Sequence, residues 1–91
     1  MTKTEIQYLQ LTEGQARIEL AKAHYNFMDI HGTFNSYAEY EAALRNDIHY
    51  YRCLSKWHAL SKILGHFKIP HSKELHHQAL QIYLKEPINF N

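Results

Sequence analysis

The chain has 91 residues, of which 45% are apolar and 21% charged, with a formal net charge of +1. This composition suits one small globular domain over residues 1–91, and it excludes a disordered chain and a global field drawing the protein to nucleic acid or membrane. The single cysteine, Cys53, excludes an internal disulfide and a multi-cysteine metal site. No run reaches the ~18 apolar residues of a membrane span, and the first ten residues lack a signal-like apolar core, so a soluble, cytoplasmic protein is expected.

In chain order, residues 4–10 fit either a short helix or an extended arm. Thr12-Glu13-Gly14-Gln15 has the spacing of a capping box, which predicts a helix over about 13–31 that stops at Gly32. Ser36-Tyr37-Ala38-Glu39 is a second such box. It opens a segment without glycine or proline until Gly65, predicted as one helix over 36–65. After Pro70, Ser72 or His71 is placed to cap a third helix over 72–85, closed by Pro87. No segment alternates as a strand does. The expected fold is therefore all-α: a three-helix antiparallel bundle with one long central helix and room for a short N-terminal fourth.

That central helix raises a difficulty. Residues 37–64 in one straight helix would run about 42 Å, against a diameter near 30 Å for a compact domain of this size. Its apolar side also moves. Tyr37, Tyr40, Leu44, Ile48 and Tyr51 cluster on one face. Cys53, Trp57, Leu60, Leu64 and Phe67 cluster about 130° away at ~100° per residue. Helix 13–31 has a wide apolar arc as well. Both features predict a homodimer that covers what one chain leaves exposed.

Eight histidines are the other unusual feature. Arg17, His24 and His31 repeat every seven residues and predict a polar seam beside the apolar arc. With Tyr50, Tyr51 and Trp57, that seam is the expected groove or dimer contact, since tyrosine, tryptophan and arginine anchor interfaces. The charge is also uneven. Residues 1–50 carry four basic and seven acidic side chains, a balance of −3; residues 51–91 carry six and two, a balance of +4. Lys62, Lys68, His71, Lys73, His76 and His77 thus form a basic end suited to an acidic protein partner.

Other chemistries fit less well. His24-Met28-His31 and His71-Glu74-His77 share helix faces but match no established metal spacing, so no metal or cofactor is expected. Ala59–Gly65 followed by a helix resembles a helix-turn-helix, which makes nucleic acid the alternative partner of the basic end. His66 stands at the usual apolar turn position, and Pro70 lengthens the turn. Arg52-Cys-Leu-Ser-Lys-Trp-His58 resembles the minimal motif of HEPN-fold ribonucleases. That resemblance implies His58 as general base and Arg52 as stabiliser of the phosphorane, although Cys53 replaces the usual polar residue. No nucleophile or paired carboxylates stand in a readable catalytic context. The expected function is non-enzymatic: a small interaction module, such as an adaptor, inhibitor or regulator.

Overall fold

The computed structural model describes residues 1–32 and 34–84. Among these, four helices account for 84% of the residues and there is no strand. They are α1 (Lys3–His31), α2 (Tyr37–Asn46), α3 (Ile48–His66) and α4 (Lys73–Leu84). No helix among the described residues is long and apolar enough to cross a membrane. The expected closure at Pro87, and Lys85 itself, lie outside the described residues.

The first helix begins ten residues earlier than predicted. Thr2 caps it: its Oγ1 accepts from the Glu5 N–H at 3.1 Å, and Glu5 Oε1 accepts from the Thr2 N–H at 3.1 Å. Thr12 opens nothing, because its hydroxyl donates back to the Tyr8 carbonyl at 2.8 Å, inside the helix. Residues 4–10 are therefore the first turns of α1. At the other end Gly32 takes φ +66°, open to glycine at little cost, and its N–H donates to Met28 O at 2.8 Å.

The long central helix is two helices. Asp47 leaves helical geometry at φ −93°, ψ 92°. Its N–H closes α2 on Ala43 O and Leu44 O, and its Oδ1 opens α3 by accepting from the Tyr50 N–H at 2.9 Å. The break avoids a rigid rod of about 42 Å: Tyr40, Ala43 and Leu44 of α2 pack partly buried against the core, while Tyr37 and Ile48 on either side of the break stay exposed. Nor does α3 stop at Gly65. It runs to His66 and ends in a Schellman motif, with Lys68 N–H donating to Gly65 O and Ile69 N–H to Leu64 O. Lys68 takes the left-handed position, φ +56°.

Helices α3 and α4 both pack on α1, and α2 packs on α3. Contacts Glu13–Trp57 and His24–Tyr50 show α3 running antiparallel to it. Gly14–Leu75, Arg17–His76 and His24–Tyr83 show α4 running parallel to it. The main core joins Leu20, Ala23, Phe27 and Met28 of α1 to Phe34 and Tyr50. Phe27 is fully buried and meets Phe34, Tyr40 and Tyr50 at ring-centroid separations of 4.9–5.8 Å. Overall dimensions are 47 × 23 × 18 Å. The long axis is set by α1, about 43 Å for its 29 residues.

Candidate functional site

Helices α3 and α4 both lie on α1 and leave a groove between them. Its floor is Arg17, Leu20 and His24. One wall is Tyr50, Leu54 and Trp57 of α3; the other is His76, Ala79, Leu80 and Tyr83 of α4. Each set repeats at three, four or seven residues, so each helix offers one continuous stripe. The hollow measures about 320 Å³. A second of about 220 Å³ continues past Arg17 toward Ser61, Ile69 and Pro70.

The polar floor is tightly bonded. Glu13, 1% exposed, places Oε1 within 2.7 Å of Arg17 Nη2, 3.0 Å of Arg17 Nε and 3.1 Å of Trp57 Nε1. Its Oε2 is buried with no hydrogen-bond partner among the described residues. The Arg17 guanidinium also stands 5.3 Å from the Trp57 ring centroid, a cation–π distance. Arg17 Nη1 donates to His76 Nδ1 at 3.0 Å. Arginine has no acceptor, so Nδ1 must keep its lone pair and His76 is neutral. Partial burial and then the Arg17 charge hold the His76 pKa below its usual value. His24 shares a 2.5 Å hydrogen bond with the Tyr50 hydroxyl and packs its ring on Tyr83 at 5.3 Å. Burial lowers its pKa as well. The groove floor therefore exposes little net charge: one cation paired with one carboxylate, and two neutral imidazoles.

The predicted seam divides. Arg17 and His24 line the groove, but His31 is exposed at the end of α1 against the Phe27 and Phe34 rings and beside a different hollow. Tyr50 is buried in the core with its edge on the groove beside His24; Trp57 is half-buried on Glu13, and Tyr51 is 53% exposed. Within the predicted basic end, Lys62, Lys68, His71, Lys73 and His77 are exposed where α3 ends and α4 begins. His76 departs from that group because it turns inward onto Arg17. His77 makes a 3.2 Å contact with Gln81, and the rings of His71 and His76 lie 4.5 Å apart. Arg52 and His58 are both exposed, six residues and hence about 120° apart on α3. No three His, Cys, Asp or Glu side chains among the described residues come together in a way that could hold a metal ion.

Sequence reasoning missed Glu13 and Gly14. At four residues from Arg17, Glu13 reads as an ordinary surface pair. Gly14 reads as punctuation, yet it lies mid-helix where α4 presses on α1: a Cβ there would stand 2.7 Å from Leu75 Cβ. Compared with known protein families, curated proteins and solved structures, the chain matches none.

Proposed function

We propose that this protein is a small non-enzymatic interaction module, an adaptor, inhibitor or regulator, that binds a protein partner through the α1–α3–α4 groove. The observation that carries this reading is the open apolar groove, walled at helical spacing and lined mainly by Leu20, Leu54, Trp57, Leu80 and Tyr83. Such a groove is a common seat for a partner's helix. The test is affinity capture with the immobilised full chain and with Leu80→Glu, which alters an exposed groove residue (42% exposed). A protein held by the native chain and lost from the variant is expected. Identical captured sets would overturn the reading.

The basic end contributes to the same binding. Charge reversal at Lys68 and Lys73 together is expected to weaken capture, and unchanged affinity would remove that end from the reading. We further propose that two copies associate. Support comes from Ile30, Tyr37 and Ile48, large apolar side chains that one copy leaves 64–75% exposed. Light scattering should give twice the 10.8 kDa chain mass; a mass near that of one chain would overturn the dimer. Exposure of Lys62, Lys68 and Lys73 at one end supports a second reading, a nucleic-acid-binding regulator. It requires a salt-dependent shift in duplex anisotropy, and no shift at low salt would remove it.

A further inference from the structure

The rim of the groove is chemically uneven. Successive helical residues advance about 100°, so the positions just outside the lining stripes can be placed. On α3 they are Tyr51, His58 and Lys62; on α4 they are Lys73, His77 and Leu84. All six are exposed. The lysines stand together at the end where α3 runs into α4, and the apolar Tyr51 and Leu84 stand at the far end.

Among the described residues of α3 and α4, neither acidic neighbour shares this rim. Asp47 caps α3 and lines a different hollow with His31. Glu74 lies on the back of α4, about 100° beyond Lys73 and about 60° beyond His77, facing away from the groove. On the floor, Glu13 is buried and paired with Arg17. An occupant therefore meets an apolar trough, neutral imidazoles and unbalanced positive charge at one end.

The shape is that of a helix seat. The two hollows meet at Arg17 and lie along α3 from Tyr50 to Ser61, about 17 Å or three helical turns. Two antiparallel helices flanking a third leave the position that a fourth helix fills in a bundle.

We infer that the groove takes an amphipathic helix of a partner protein, with small and branched apolar side chains at helical spacing and acidic residues flanking one end, which meets Lys62 and Lys73. This rests on the groove reading above and specifies its partner. A nucleic acid would suit the lysines but not the trough between the walls.

The test uses the full chain and two synthetic helical peptides with the same leucine–alanine face. One carries glutamates along its flanks and the other lysines; fluorescence anisotropy reads binding. The glutamate peptide is expected to bind more tightly by roughly tenfold or more, with the preference shrinking as salt rises. Leu80→Glu should abolish binding, and Lys62→Glu with Lys73→Glu should reverse the preference. These positions are exposed, so circular dichroism of each variant should match the native chain.

Equal affinity for both peptides, binding of neither, or a preference that survives the lysine reversals would overturn the inference. So would displacement of the peptide by an RNA hairpin, or a dimer that Leu80→Glu turns into monomers, which would seat a second copy in the groove. Loss of peptide selectivity while Leu80→Glu still loses its captured protein would sink the acidic helix alone. Retention of that protein would sink the groove reading itself.

Discussion

Glu13 shows how much depends on one residue. Its carboxylate is out of water and one oxygen carries three donors, so its charge is tolerated only while Arg17 and Trp57 stay in place. Glu13→Ala should cost about 3 kcal/mol by leaving the mostly buried guanidinium unpaired. Glu13→Leu with Arg17→Met should recover most of that loss, because no charge is then left stranded. Urea unfolding of the three variants checks it, and a double variant as weak as Glu13→Ala would contradict it. The histidines predict a pH effect. His24 faces Tyr50 and Tyr83; His76 faces Arg17, Glu13, His71 and His77. Both have pKa values below the ordinary 6.5. As pH falls through 6.5 the unfolded chain takes up protons first, so stability is full above that value and is lost below it. The lowered pKa of Glu5 acts in the same direction at lower pH. Urea midpoints should fall on acidification below about pH 6.5, and less steeply in His24→Gln. A midpoint that rises would contradict the sign.

Helices were legible where a single signal stood alone. Ser36 Oγ accepts from the Glu39 N–H and Ser72 Oγ from the Leu75 N–H, as their spacing suggests. Legibility failed where signals competed. Thr2-Glu5 and Thr12-Gln15 present the same cap pattern, and the uninterrupted chain between them let the earlier one win. Asn46-Asp47 is a weak break by composition; in the structure Asp47 serves both ends, closing α2 with its N–H and opening α3 with its side chain. Asp47→Ala removes the α3 cap and should cost about 1 kcal/mol, read as a lower thermal midpoint. Gly14 gives a test of sign. Alanine is ordinarily worth about 1 kcal/mol over glycine inside a helix. Here the added Cβ meets Leu75, and the strain of 1–3 kcal/mol typical of overpacking should exceed that gain. Gly14→Ala should therefore destabilise, and a raised midpoint would show that α4 yields freely.

For the whole molecule, the all-helical class could be read in advance, but the groove could not. Its three stripes come from helices whose directions and pairings depend on the break at Asp47 and on the small residue Gly14, neither of which periodicity reveals. The same applies to His76, which reads as one more basic side chain until α4 is seen to lie against Arg17. The radius of gyration, 14.8 Å, exceeds the ~12 Å of a compact chain this long. Much of the excess lies along α1, whose first residues are mostly exposed. Deleting residues 1–8 should shift the thermal midpoint little, since the contact of Gln10 with Pro70 is kept. The arrangement around α1 also has a kinetic consequence. Helix α4 is joined to the rest chiefly through one face and through contacts about sixty residues apart in the chain, so it is the natural last piece to dock and the first to leave. Its amides should exchange with solvent faster than those of α1 and α3, and a helix seated in the groove, touching both walls at once, would slow them. Binding would then act as a latch on a segment that the lone chain holds from one side only.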